Sequence, residues 1–438
     1  HVRAACEGLL DELLYFVKRQ CPETVPSSDL WLASSCFKIV DAILARYRDV
    51  FADPEDVLNA KLDVPAERDH VRIIDNVLVF AIVWSVGATS NLKGRQLFTA
   101  FLREKLAKAD SDTDHLVNFK KTVDFPDDEK AVAHDFAYEI EREKWVPWLD
   151  TVDRYEVPKE CEFNDIVVRT ADMVRYRFLL DTLVQNKQAV LFLGPTGTSK
   201  TVIMKEYLLN GMPKDRYTFN VLNFSAQTSA AMTQDIVDGK LDKRRKGVFG
   251  PPLGKRSVVL IDDLNMPELE EYGAQPPIEL LREYQDLGGW YDRASNTFMK
   301  IVDVQLAAAM GPPGGGRNHV TARFLRHFNM VSFAELDDDT LRTIFSCVSD
   351  WILGQGLGSV RSVSSALVEG TIRVYRTIAK ELLPTPLKTH YSFNLRDLSK
   401  VFQGISMVTA APELIKESAD MARLWVHECS RVFRDRLV

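Results

Sequence analysis

The sequence predicts an α/β core, a parallel sheet covered by helices, with a helical segment before it and a small helical lid after it. Three observations carry this. A glycine-rich turn, Gly194–Thr201, follows the apolar strand AVLFLG and opens the helix KTVIMKEYLL. Four further apolar strands alternate with helical patterns downstream: YTFNVLNFS, SVVLIDDL, IVDVQLAAAM and FNMVSF. Continuous apolar strands separated by helices are the pattern of a parallel sheet buried on both faces. Residues before about 125 and after about 336 show only helical periodicity.

The chain has 438 residues, 46 % of them apolar and 27 % charged, with a net charge of −7. This composition excludes a disordered, collagen-like or membrane-bundle class, and the charge gives no sign of a nucleic-acid partner. The six cysteines are scattered without metal-site spacing, as reduced thiols are. The first residue is His1 and no signal peptide follows, so the chain is expected to begin inside a longer polypeptide. The apolar run Val77–Val86 is about half of the ~20 residues that a bilayer span needs and predicts a buried core helix.

In the first segment, residues 1–125, Leu9, Leu10, Leu13, Leu14 and Val17 fall at helical spacing. So do Phe37, Val40, Ile43 and Leu44, with Ser34 and Ser35 as candidate caps, and then Leu97, Phe98, Phe101, Leu102 and Leu106. These stripes predict packing and no chemistry. Residues 126–160 are charged and interrupted by proline, as a connecting segment is. FNDIVVRTADMVRYRFLLDTLVQNKQ predicts a short strand at Ile166 and Val167 and then a helix. The α/β part spans 161–335 and the helical lid 336–438.

The chemistry concentrates in three places. In Gly194-Pro195-Thr196-Gly197-Thr198-Ser199-Lys200-Thr201 small residues let backbone N–H groups approach a polyphosphate, and the start of the helix, with Val202 as a further nucleotide-binding candidate, adds a favourable field. Lys200 would contact the β- and γ-phosphates, and the Thr201 hydroxyl would ligate Mg²⁺. Ser199 stands where such loops usually have glycine, and its side chain is expected to narrow the cradle. The strand SVVLIDD ends in Asp262 and Asp263, about 60 residues after the loop. Asp262 can reach the Mg²⁺ shell through water. Asp263 falls where many such ATPases have a water-positioning glutamate, and it is one methylene shorter. The strand VDVQLAAAM then runs into Gly311-Pro312-Pro313-Gly314-Gly315-Gly316-Arg317. Its tip lacks the polar side chain that senses a γ-phosphate, and the glycine run is either a site element or only a flexible loop. Third come the arginines. Arg323 and Arg326, just before a strand, suit an outward-facing finger or a solvated basic turn. Arg396, at a helix start, suits a second γ-phosphate sensor or an ion pair with Asp397 or a nearby acid.

GPTGTSKT, VVLIDDLNMPELEEYGAQPPIELLREYQDLGGWYDR, AAAMGPPGGGRNHVTARFLRHF and HYSFNLRDLSKVFQGI together resemble the third AAA+ module of a dynein heavy chain. DDLNMP and GGGRN resemble axonemal rather than cytoplasmic chains, and YGAQPPIELLR resembles the single-headed inner-arm group. FAIVWSVGA, FTAFLREKL and EKWVPW resemble the end of the second module and its connection.

The resemblance implies one part of a six-module ATPase ring that swings a linker and walks on microtubules, hydrolysing ATP mainly at its first module. It implies an AAA+ fold, with residues 1–125 as the helical end of the second module, and ATP or ADP with Mg²⁺ as cofactors. The implied partners are the second and fourth modules, the linker, intermediate and light chains and, through the parent chain, microtubules, with no nucleic acid and no membrane. The implied location is the cytoskeleton of the cytoplasm, in the ciliary or flagellar axoneme. Gly194, Gly197, Lys200 and Thr201 then form the phosphate loop and Asp262 the Mg²⁺-associated acid. Asp263 replaces the catalytic glutamate and Gly311 the sensor asparagine. Arg396 matches the second sensor. Arg326, or less closely Arg323, matches the finger toward the second module. Ile166 and Val167 match the adenine contact. Ser199, Asp263 and Gly311 each weaken hydrolysis more than binding, so a slow, regulatory nucleotide site is expected. A nucleotide-free structural module and a fast-cycling ATPase are the other two readings.

Overall fold

The computed structural model describes residues 6–51, 69–107, 117–152, 157–158, 160–355 and 357–438. Contacts divide the chain into two compact units, one of 1–151, 175–195 and 199–334, the other of 152–174, 196–198 and 335–438.

The first unit opens with helices α1 (Asp11–Gln20), α2 (Asp29–Phe51), α3 (His70–Val83), α4 (Leu92–Leu106) and α5 (Val117–Thr122). α2 begins five residues before the serines expected to cap it, so Ser34 and Ser35 lie inside the helix. There the Ser35 hydroxyl donates to Asn329 Oδ1 at 2.7 Å instead of capping. The expected buried run is α3 and its continuation, with Val77 to Val83 buried. Asp69 caps α3 by accepting from the Val71 and Arg72 amides. In the connecting segment strands β1 (Phe136–Glu139) and β2 (Lys144–Pro147) form an antiparallel hairpin. Helix α6 (Ala171–Gln185) leads into the sheet.

The five predicted strands are all present. They are β3 (Val190–Leu193), β4 (Tyr217–Asn223), β7 (Arg256–Asp262), β10 (Val304–Met310) and β11 (Asn329–Ser332). They form a parallel sheet in the order β11-β3-β10-β7-β4. Every residue of β3 and β11 is buried, as a sheet covered on both faces requires. Helices α7 (Lys200–Glu206), α8 (Ala230–Asp238), α9 (Pro276–Leu287) and α10 (Ala322–Leu325) connect the strands. Proline at the start of α9 and Gly288, at φ 72°, after its end set that helix's limits. A second sheet was not anticipated: β5 (Asp242–Arg245), β6 (Val248–Gly250), β8 (Gly289–Tyr291) and β9 (Phe298–Ile301), ordered β5-β6-β9-β8. Its strands have three or four residues each, too short for a periodic signal.

Strand β11 is one edge of the sheet, and the N-terminal helical segment covers it. The Ser332 amide donates to the Ala88 carbonyl at 2.7 Å, the Ser332 hydroxyl pairs with Thr24 Oγ1 at 2.5 Å, and the Arg95 guanidinium donates to the Ser332 carbonyl. Such cover removes the free backbone groups that an open edge would expose.

The second unit is helical: α11 (Asp338–Gly354), α12 (Ser364–Glu381), α13 (Leu395–Ser406) and α14 (Ser418–Val432). Phe345 of α11 stacks on Phe402 of α13 at 4.9 Å between ring centroids, within a core that includes Leu341, Ile352, Leu398 and Phe433. The strand expected at Ile166 and Val167 is not formed. Phe163–Asp165 is a short 3₁₀ turn, and residues 166–170 form no regular secondary structure. Ile166 and Val168 pack instead on the helical core of this unit, so apolar side chains rather than a ladder fix the segment.

Candidate functional site: a phosphate loop beside two strand tips

The register of the parallel sheet sets the site. Leu193 of β3 lies opposite Met310 of β10, and Ala308 of β10 opposite Ile261 of β7. The carboxyl ends of three neighbouring strands thus deliver Gly194, Gly311 and the pair Asp262–Asp263 to one edge, where open α/β sheets bind ligands.

Gly194 leaves β3 at φ 148°, and a Cβ there would lie 2.9 Å from the Phe333 carbonyl oxygen, so the turn requires glycine. Pro195 is half-buried and Thr198 is buried. Gly197 has φ 90°, and a Cβ there would come within 3.2 Å of Leu395 Cβ. Ser199 has φ 61°, in the left-handed region, with an exposed side chain. Serine here carries backbone strain, about 1–2 kcal/mol relative to glycine. Val202 is exposed on the first turn of α7.

Lys200 is 9 % exposed, and its ammonium donates to the Gly194 carbonyl at 2.8 Å and the Pro195 carbonyl at 2.6 Å. The Thr201 hydroxyl donates to Asp262 Oδ1 at 2.8 Å, and the same oxygen accepts the Asp263 amide at 3.1 Å. A buried ammonium, a hydroxyl and a carboxylate together are the donor set that Mg²⁺ and a polyphosphate need, and these residues fit that group. Thr201 and Asp262 would hold the metal and Lys200 the phosphates.

The groups that would break the bond are arranged differently. Asp263 sits at φ 53°, with its side chain about half exposed, and Oδ1 lies 3.6 Å from an Arg317 guanidinium nitrogen. Met310 is buried and Gly311 contributes no side chain. The glycine run that follows closes into a hydrogen-bonded turn. The Gly314 amide donates to the Arg317 carbonyl at 2.9 Å, and the Arg317 amide donates back to the Gly314 carbonyl at 3.1 Å. Gly314, Gly315 and Gly316 all have positive φ, which explains why three glycines close it.

The candidate arginines have different surroundings. Arg326 pairs with Asp286 at 2.6 Å, and Asp286 also receives His327 Nε2 at 2.9 Å and Arg282 at 2.9 Å. Arg323 is exposed and has no ion pair among the described residues. Arg396 is exposed at the start of α13 and has no ion pair with Asp397 or another acid among the described residues. Asp397 is buried and binds Arg436 at 3.0 Å and Lys400 at 3.2 Å, and it closes a capping box with Asn394. The sequence reading missed Arg317 and Asn265. The side-chain amide of Asn265 donates to the Gly311 carbonyl at 2.9 Å, and its backbone carbonyl accepts the Asn318 amide at 2.9 Å. The asparagine in DDLN was the available signal.

Residues 155–336 match the family model of the P-loop containing dynein motor region, and residues 2–150 that of the dynein heavy chain AAA lid domain. Residues 367–438 match the AAA+ lid domain. Dynein axonemal heavy chain 1 of Homo sapiens is 42 % identical across 100 % of this chain and 10 % of its own length. Dynein axonemal heavy chain 12 of Mus musculus is 44 % identical across 82 % of this chain and 12 % of its own length. Dynein axonemal heavy chain 3 of Homo sapiens is 39 % identical across 98 % and 10 %. The chain thus spans about a tenth of the length of these relatives. A P-loop sheet with a helical lid and this likeness along nearly the whole chain lead to one statement of kinship: the chain belongs to the axonemal dynein heavy chain family.

Proposed function

We propose that this chain is a regulatory nucleotide-binding AAA+ module of a microtubule motor, holding ATP or ADP with Mg²⁺ and hydrolysing ATP slowly. The observation that carries the reading is the contrast within one sheet edge. Lys200 is held at the Gly194 carbonyl and Thr201 at Asp262, as a binding set would be, whereas Asp263 is short and lies 3.6 Å from Arg317, and Gly311 has no side chain. Losing one group that positions the reacting atoms typically costs ~100–1000-fold in rate, which lowers turnover far more than affinity.

In this reading residues 1–125 are the helical end of the preceding module, 126–160 the connection, 161–335 the large subdomain and 336–438 the small one. Arg396 keeps its match to the second sensor, and Ile166 and Val167 keep theirs to the adenine-contacting segment. Arg323 becomes the better candidate for the finger toward the preceding module, because Arg326 is already held by Asp286. Partners are the neighbouring modules and linker of the same heavy chain and, through that chain, associated chains and microtubules of the ciliary or flagellar axoneme. The nucleotide state of this site would gate the main motor site.

The test is single-turnover hydrolysis in the heavy chain that carries this module, with the phosphate-loop lysines of its other modules changed to alanine. The expected result is bound ATP whose phosphate appears ~100-fold or more slowly than at the unmodified main site. Chemistry as fast as the main site's would refute slow regulation, and absence of bound nucleotide would leave a structural module.

A further inference from the structure

The turn after β10 ends on a cation placed where the strand tip lacks a side chain. A Cβ built on Gly311 would lie 2.8 Å from Arg317 Nε, 2.9 Å from Cδ and 3.2 Å from Cζ. The Arg317 side chain thus occupies the space that a residue at 311 would fill. Two anchors hold it there: the Gly314–Arg317 bridge and the bonds from Asn265 and Asn318 that tie the turn to the exit of β7. Its guanidinium is 3.6 Å from Asp263, beyond hydrogen-bond distance, and both side chains are partly exposed. Such a pair is weak and easily exchanged. Arg317 Nε is buried and has no hydrogen-bond partner among the described residues. A buried donor without an acceptor is costly, and an arriving anionic oxygen would relieve that cost.

We propose that Arg317 is the γ-phosphate sensor of this site, supplied by a folded-back turn instead of by the strand tip, and that Asp263 competes with the terminal phosphate for it. The inference rests on the nucleotide-binding reading above and adds a discriminating residue to it. Arg317 makes the site prefer triphosphate over diphosphate, because only the triphosphate offers the oxygen that displaces Asp263. The same exchange frees the Asp263 carboxylate when a triphosphate is present. Gly311 is then required for space, not merely left over from a lost sensor.

The experiment titrates the 438-residue chain with fluorescent ATP and fluorescent ADP in Mg²⁺, with thermal melting as a folding check. Arg317→Ala is expected to weaken ATP binding about 10–100-fold, the effect of one charge-assisted hydrogen bond, and ADP binding less than about 3-fold. Arg317→Lys is expected to recover part of the loss. Asp263→Asn is expected to strengthen ATP binding and leave ADP binding unchanged, an outcome that does not depend on how the alanine variant folds. An unchanged ATP-to-ADP ratio in both arginine variants, or a parallel loss of both nucleotides, overturns this inference alone. Failure of the unaltered, folded chain to bind either nucleotide overturns the nucleotide reading and this inference with it.

Discussion

Two glycine-rich exits lie side by side at one sheet edge, after β3 and after β10, and they do opposite things. Gly194 to Thr201 holds the Lys200 ammonium at the carbonyls of its own first two residues and runs into a helix. Gly311 to Arg317 folds back on itself and sets a guanidinium against its own first residue. Glycine content announces a turn in both. What the turn delivers depends on the residue it ends on, lysine in one case and arginine in the other. The first loop also carries strain at Ser199, the residue before its helix, whereas the second has its left-handed conformations on glycines alone.

The largest stability effect that separates the loops is at Gly194. Alanine there meets the Phe333 backbone and must hold φ 148°, so Gly194→Ala should cost about 2–4 kcal/mol in denaturant unfolding. Gly315→Ala, at φ 58° with open space around it, should cost only about 1 kcal/mol. Equal losses would break the claim that close approach distinguishes the first loop.

A position outside both loops sharpens the contrast between backbone strain and buried charge. Asp75 in α3 is fully buried, and burial raises its pKa from 3.8 to about 6. A raised carboxyl favours folding while protonated, and that contribution is lost as pH rises from about 4 through about 6. Asp75→Asn should therefore gain up to about 2 kcal/mol at pH 8 and little at pH 4, read from melting at the two pH values. A gain of the same size at pH 4 would show that charge burial is not the cause.

Asp262→Ala should weaken Mg²⁺-dependent ATP binding about 10–100-fold, as loss of a group behind the metal does, with little effect on Mg²⁺-free binding. The smallest effect is Ser199→Gly, which relieves the left-handed serine and should stabilise by about 0.5–1 kcal/mol. A destabilised glycine variant would mean that the exposed hydroxyl contributes more than the strain costs.

Much of this was legible in the sequence because it rested on long or local signals. The five core strands are apolar runs, and the loop, Asp262 and Asp263 are fixed by position in the chain. Ile166 and Val167 misled because β-branched residues mark strands only where a neighbouring strand exists to pair with them. Ser34 and Ser35 misled because the helix had already started at Asp29. Arg317 was not legible: only three successive positive-φ glycines bring it back over Gly311, and the spacing of residues along the chain does not reveal that return. The pairing of Asp397 with Arg436 was hidden by the same separation in sequence.

The central claim is that the start of α7 grips a magnesium polyphosphate. Equilibrium titration of fluorescent ATP against the unaltered chain and against Lys200→Ala, each with and without Mg²⁺, tests it most directly. The account predicts saturable, Mg²⁺-dependent binding that falls at least about 100-fold in the alanine variant, the loss of a buried charged contact. Equal binding by both folded proteins would contradict it.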